Sequence, residues 1–380
     1  AAWRGGVVDA IDPGMQGRIS EWRKSGLNIM MSEKSEAKPV SFLEDCAVEL
    51  KDLAEYTDKL TAIFDRNGVK GTWYAHASVG CLHVRPVLNM KQACGAETMR
   101  AIAEEAFELV RFFGGSHSGE HGDGIVRSEF NDRMFGPVLP DLFRQVKAMF
   151  DPQGMFNPGK ITDAPKMDDR ELFRFAPGYE VEDFDSVLDW AAWPGAAGGF
   201  QGAVEMCTNN GACRKLSGGV MCPSYRATRN ERDAVRGRAN SLRLAMSGQL
   251  GPGAMASDEM AETMKLCVSC KACKRECPVG VDMARMKVEV TAARAAKHGI
   301  PLHDSLIGNL PAYAPLASGL SGLSNLVQSV WRHVPGLASL VSRLTGFTTK
   351  RSLPKWHSNA FRNGEIGSAP IGAGTVSYTH

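Results

Sequence analysis

The chain has 380 residues, a length that predicts two or three domains rather than one. Apolar residues make up 43% and charged residues 23%, a globular balance that excludes disorder over most of the length. Forty-four Lys and Arg against forty-two Asp and Glu leave a net charge of +2, without the basic excess that a nucleic-acid binder concentrates, so no nucleic-acid partner is expected.

The first ten residues, AAWRGGVVDA, carry no initiator Met, charged n-region or apolar h-region, and read as the interior of a longer chain rather than a signal peptide. Residues 27–31 and 39–43 are short, strand-like apolar runs. Residues 49–66 place Leu50, Leu53, Leu60, Ile63 and Phe64 at helical spacing before an Asn67-Gly68 stop. Residues 71–77 and 81–88 read as two strands around a turn at Gly80. Residues 97–113 give the clearest helix, with Met99, Ile102, Ala103, Ala106, Val110 and Phe113 on one face and Gly114 just past its end. A further helix is expected over 139–150. Mixed strands and helices without regular βαβ spacing predict an α+β fold, an antiparallel sheet with helices over residues 1–165.

Residues 166–202, ending in GAAGGFQG, read as a linker. Residues 203–295 hold seven of the ten cysteines and look mainly α-helical between them, with helices expected over 231–246 and 257–265. Residues 296–380 read as a helical extension and a poorly ordered Ser/Gly-rich tail. Within it, 316–344 is apolar with few charges, more in keeping with a packing helix pair than with docking on a membrane surface. No run of about 18 uncharged apolar residues occurs, so no transmembrane segment is expected.

The cysteines carry the strongest motif, Cys267-x2-Cys270-x2-Cys273-x3-Cys277-Pro278. In two-cluster ferredoxins the first three such thiolates hold one cubane and the fourth, followed by Pro, serves the other. A partner group lies upstream, Cys207-x5-Cys213-x8-Cys222-Pro223, with Asn210 where a middle cysteine is expected. Exchanging the fourth ligands gives one complete set, Cys267, Cys270, Cys273 and Cys222, for a 4Fe–4S cluster. Cys207, Cys213 and Cys277 remain as a three-thiolate site, for a 3Fe–4S centre or a 4Fe–4S centre with a non-Cys ligand. Structural zinc prefers two separated pairs. Cys46, Cys81 and Cys94 read as small buried residues.

A second constellation is made of histidines. A symmetric hairpin centred between Val79 and Gly80 sets His76 directly opposite His83, Cβ atoms about 4.5–5.5 Å apart and able to share a cation. The run GGSHSGEHGDG then brackets Glu120-His121 with glycines, which suit either close approach to a flat ligand or two side chains on a tight turn.

The stretches YAHASVGCLHVRP, GGSHSGEHGDGIVRSEF and FDPQGMFNPGKI resemble the C-terminal half of the FAD-linked oxidase family (the vanillyl-alcohol-oxidase-type flavoproteins), in its D-2-hydroxy acid dehydrogenase branch. EMCTNNGACRK, MCPSYRATRNERDAVRGRAN and CVSCKACKRECP resemble the ferredoxin-like iron–sulfur segment fused behind that module in large bacterial FAD-binding oxidoreductases. The resemblance implies that His76, His83 and Glu120 bind a divalent metal such as zinc or manganese and that His121 accepts the proton of the substrate hydroxyl. It implies Arg23 as a clamp for the substrate carboxylate, with Lys34 or Lys38 as a helper. Glu120, His121 and Asn157 are the residues it sets against the flavin. Where metal-dependent members commonly carry Asn two residues after the second His, this chain has Arg85, suited either to a second substrate carboxylate or to the surface. The N-terminal FAD-binding domain of the family is not among these residues.

The expectation is therefore a flavo-iron–sulfur enzyme of the cytoplasm, with peripheral contact at the inner face of the membrane as the alternative. It would oxidise a D-2-hydroxy acid of the D-lactate or D-2-hydroxyglutarate type and pass electrons from FAD through the clusters to a quinone or protein acceptor. The competing expectation is a non-catalytic electron-transfer subunit with a degenerate flavin fold.

Overall fold

The structure is a computed structural model that describes residues 8–182, 184–348 and 350–359. The first seven residues and the end of the tail from 360 onward, on which two of the expectations above fall, lie outside the described residues. Residues up to Thr291 form one compact unit and those from Ala292 a second.

The first unit opens with helix α1 (Pro13–Met31), started by Asp12, whose carboxylate accepts from the Met15 amide, and by Pro13 at its first position. This helix absorbs residues 27–31, which alone read as a strand. Their apolar side chains belong to a 19-residue helix that buries none of its residues. Four strands follow, β1 (Lys38–Pro39), β2 (Leu43–Ala47), β3 (Gly71–His76) and β4 (Cys81–Leu88), and β4 pairs antiparallel with each of the others.

Helices α2 (Leu53–Arg66) and α3 (Ala93–Phe112) pack against each other, and α3 also packs on β2 and β4. Tyr56, Leu60, Ile63 and Phe64 are buried from α2, and Met99, Ile102, Ala106, Phe107 and Val110 from α3. Leu50, expected on this apolar face, precedes the helix and is exposed. α3 ends as its glycines require. Gly114 takes φ +62, its amide reaches the Arg111 carbonyl and the Gly115 amide reaches that of Val110, which satisfies the last carbonyls of the helix. Short α4 (Asn131–Phe135) and α5 (Val138–Phe150) complete this α+β layer.

A second core lies around α6 (Phe200–Glu205), α7 (Pro223–Thr228), α8 (Val235–Met246), α9 (Asp258–Lys265), α10 (Ala272–Glu276) and the start of α11 (Met283–His298). The segment expected as a linker is not free chain. Met167 joins the first core, whereas Trp190 and Phe200 are among the most buried side chains of the second. Glu289, fully buried on α11, accepts from the amides of Val187 and Leu188 at 2.9 and 3.0 Å and from the Trp190 indole at 2.7 Å, fastening that segment down.

In the second unit, α12 (Leu302–Gly308), α13 (Leu310–Gly319), α14 (Ser321–His333) and α15 (Pro335–Thr345) pack in sequence, and α12 also meets α15. Among the described residues no helix is long and apolar enough to cross a membrane.

Candidate active site and cysteine centre

The hairpin of β3 and β4 turns through Ala77–Val79 and a left-handed Gly80, so its centre falls one residue earlier than a symmetric loop about Val79–Gly80. His76 therefore faces Cys81, and His83 faces Tyr74, rather than each other. A register change of two residues preserves the face of every side chain. The two imidazoles become diagonal neighbours, ring centres 4.9 Å apart, with Tyr74 beside both.

The carboxylate arrives from the glycine-rich loop. Glu120 Oε1 lies 2.9 Å from His83 Nε2, 3.6 Å from His76 Nε2 and 3.4 Å from His121 Nε2. Gly119 shows why the glycines are needed, since a Cβ there would stand 2.8 Å from the Asp45 carbonyl. Gly115 and Gly119 both approach strand β2 of the chain itself, and the turn carries Glu120 and His121 side by side. Asp45 fixes that turn. Fully buried, it accepts from the backbone amides of Glu120 and His121 at 2.8 and 2.6 Å, and pairs with the buried Arg127.

The pairing of β2 with β4 explains how Asp45 reaches the loop. Leu43 faces Val84 but Cys46 faces Leu82, so Glu44 and Asp45 together oppose His83 in a bulge. Glu44 is the other gain from it. Its carbonyl accepts from His83 Nδ1 at 2.6 Å, and its carboxylate pairs with Arg85. Partial burial pushes the Glu44 carboxyl up, but hydrogen bonds from Ser41 and Arg85 outweigh this and hold it below its ordinary range. An acidic pair inside a short strand is a weak β-former, and that was the one local sign that Glu44-Asp45 had another duty.

The hydrogen bonds also dictate tautomers. A carbonyl only accepts, so His83 carries its proton on Nδ1, and neutral His83 turns a bare Nε2 toward the carboxylate 2.9 Å away. Two acceptors at that distance call for a proton or a cation between them. Orienting a metal-binding imidazole through a backbone carbonyl is also the usual outer-shell arrangement. His76, His83 and Glu120 offer donor atoms all within 4.8 Å of one another, and Glu44, His83 and His121 do the same. Ligands at about 2.0–2.2 Å from one ion stand roughly 3–3.6 Å apart, close to the 2.9 and 3.6 Å that separate Glu120 Oε1 from His83 and His76. His76 Nδ1 accepts from Arg23 at 3.3 Å, so its Nε2 can serve a cation only in the tautomer that gives up this contact.

These groups face a cavity of about 280 Å³ roofed by α1, which contributes Arg23, Lys24, Leu27 and Met30. Arg85 and His121 also line it. Arg23 lies over the Tyr74 ring, 4.9 Å from its centre. Lys34 and Lys38 line a different cavity with Lys91 and Trp193. Asn157, exposed on the loop after α5 with φ +47 and hydrogen-bonded to Lys160, is not part of the histidine cluster.

The cysteines form a second centre. Cys222, Cys267, Cys270 and Cys273 line one cavity with Val235, Met283 and the buried Arg238. Among the described residues no three cysteine sulfurs lie within 4.8 Å of one another. A zinc ion with Zn–S bonds of about 2.3 Å would bring its sulfurs to about 3.8 Å, closer together than any three cysteine sulfurs stand among the described residues. Cys207, Cys213 and Cys277 do not line that cavity; charge on Cys277 is felt by Cys207, and charge on both Cys207 and Cys222 by Cys213. Burial pushes the thiols of Cys207 and Cys213 up, and that of Cys273 to about 11. A bound metal reverses this by taking the thiolate. Of the remaining cysteines Cys46 and Cys81 are buried, burial pushing the Cys46 thiol to about 12. Cys94, expected to be buried, is exposed at the start of α3.

Comparison with known proteins places a recognised domain over each of the two stretches. Residues 2–161 match the C-terminal domain of FAD linked oxidases, and residues 203–281 match the 4Fe-4S dicluster domain, so the chain joins a flavoprotein oxidase module to an iron–sulfur module. It is similar to D-2-hydroxyglutarate dehydrogenase of Pseudomonas putida, 30% identical over 83% of this chain and 34% of that protein. The same enzyme of Escherichia coli is 30% identical over 79% of this chain and 32% of that protein. A D-lactate dehydrogenase of Archaeoglobus fulgidus is 31% identical over 35% of this chain and 29% of its own length. The chain spans about a third of the length of the D-2-hydroxyglutarate dehydrogenases it matches.

Proposed function

We propose that the protein containing this chain oxidises a D-2-hydroxy acid of the D-2-hydroxyglutarate or D-lactate type to the 2-oxo acid. The observation that carries this reading is the convergence of His76, His83 and Glu120 on one point, with His121 beside them in the same cavity. When bound, FAD would supply the hydride acceptor, a divalent ion such as zinc or manganese the polarisation of the substrate hydroxyl, and the clusters one-electron carriage.

The chain's own residues have separable tasks. His76, His83 and Glu120 hold the ion. His121, its backbone amide pinned by Asp45, takes the hydroxyl proton on Nε2 as the substrate is oxidised. Arg23 and Lys24 form the positive rim that receives the substrate carboxylate, Arg23 exchanging its His76 contact for that anion. Arg85, which lines the cavity and pairs with Glu44 through Nη2, would meet a second substrate carboxylate. Its replacement by Met should therefore raise KM for dicarboxylate substrates and leave D-lactate unaffected.

Cys222, Cys267, Cys270 and Cys273 hold a 4Fe–4S cluster, and Cys207, Cys213 and Cys277 a second centre, 3Fe–4S or 4Fe–4S with a non-Cys ligand. Electrons leave to a quinone or a carrier protein. The exposed Leu316, Leu320, Leu323, Val327 and Val330 of the second unit give the protein a means of touching a membrane peripherally, at the cytoplasmic face. Absence of co-sedimentation with lipid vesicles would remove that last element alone.

The full-length holoenzyme, offered D-2-hydroxyglutarate, D-lactate and glycolate, should bleach its flavin with at least one of the first two. His121→Ala should slow bleaching by about 10²–10⁴ with the divalent ion retained. His76→Ala should lose the ion itself. A flavin that no hydroxy acid bleaches ends the proposal.

A further inference from the structure

Arg238 is an unusual neighbour for a redox centre. It has no exposed surface, and it lines the same cavity as Cys222, Cys267, Cys270 and Cys273. Nη1 reaches the Cys222 sulfur at 3.7 Å and Ser224 Oγ at 3.1 Å, and Nε donates to the Thr263 carbonyl at 2.9 Å. Nη2 makes no hydrogen bond. The nearest carboxylate oxygen, Asp233 Oδ1, is 3.9 Å from Nη2, equally buried and without a hydrogen bond of its own.

A guanidinium taken wholly out of water needs a closely bonded anion. Asp233 at this distance answers only part of the charge. Four thiolates around a cubane answer the rest, because such a cluster is an anion in both oxidation states and gains one more negative charge on reduction. We propose that Arg238 sets the reduction potential of the four-cysteine cluster, raising it by charge and by an N–H···S bond to Cys222, and that Asp233 tempers this effect. The step concerned is one electron entering the cluster, with no bond broken and no proton moved. A positive charge stabilises the more negative reduced form, and in a dry site it does so with little screening. Lys271 lines the same cavity but is exposed, so water and salt screen it.

This inference rests on the reading that the four-cysteine cavity holds a 4Fe–4S cluster. Iron and sulfide counts on the wild-type holoenzyme test that reading by themselves, and a protein without the cluster overturns both. With the cluster present, an EPR-monitored redox titration of Arg238→Gln should show a lower midpoint potential. The expected change is about tenfold in the reduced-to-oxidised ratio at a given poise, about 59 mV for one electron. Arg238→Lys, which keeps the charge, should stay near wild type. Asp233→Asn removes the counter-charge and should move the potential the opposite way, and it carries the test if Arg238→Gln does not fold. A merely structural role, tying α8 to the Thr263 carbonyl, would lower stability in the arginine variants and leave the potential where it was. A cluster retained at an unchanged potential, or one that the Gln and Asn variants move in the same direction, overturns the proposal.

Discussion

His117 sits one turn of loop away from the cluster of site histidines and does the opposite kind of work. It is buried between Phe107 and Phe130, ring centres 5.0 and 5.1 Å away, and its Nε2 has no partner. Burial, with a smaller push from Arg133, lowers its pKa from 6.5 to about 4. The folded state therefore binds this proton less readily than the unfolded one. The stability this contributes is complete above about pH 6.5 and is lost as the pH falls through the folded value near 4, on the order of 3 kcal/mol in all. Thermal unfolding of His117→Leu between pH 7 and 4 should show a flatter decline than wild type. Parallel declines would mean that His117 titrates freely in the folded protein.

At the scale of elements, the β3–β4 hairpin decides whether the site exists, and Gly80 decides the hairpin. Its φ is +70, and a Cβ there would meet the Val48 carbonyl at 1.9 Å. Gly80→Ala thus combines left-handed strain with a backbone clash, each worth about 1–3 kcal/mol. It should lower the melting temperature and, by shifting His76 against His83, the bound divalent ion per chain. An Ala variant with full ion content would show that the turn does not hold the histidines in place. Much of this element was legible beforehand. Alternation put both histidines on one face, and that parity survives the two-residue change of register. The periodicity of α3 and its glycine stop were equally plain. The Cys-Pro punctuation and the ferredoxin exchange of fourth ligands grouped Cys222 with Cys267, Cys270 and Cys273, and these four line one cavity. The bulge at Glu44-Asp45 was not legible, because an inserted residue in a strand leaves no periodic trace. Nor was α1 over residues 27–31, where a short apolar run suits a strand or a helix until the N-terminal cap fifteen residues earlier is taken into account.

At the scale of the whole first unit, the segment that looked like a linker raises the question of how the oxidase layer and the cysteine layer are joined. Charge supplies one fixed point. Lys91, just before α3, lies 2.6 Å from Glu205 at the end of α6 and 3.1 Å from Glu36, and both Lys91 and Glu205 are largely withdrawn from water. Glu205 also accepts from Tyr179 and Gln201, so its charge is bonded on several sides. Breaking such a pair from one side leaves an uncompensated buried charge, at a cost of about 3–5 kcal/mol, whereas removing both charges together costs far less. Lys91→Met should therefore destabilise the protein markedly, by somewhat less than that range because Tyr179 and Gln201 remain. Lys91→Met combined with Glu205→Gln should recover most of the loss. If the losses of Lys91→Met and Glu205→Gln measured singly in denaturant unfolding simply add in the double variant, the pair is screened by water and does not couple the two layers.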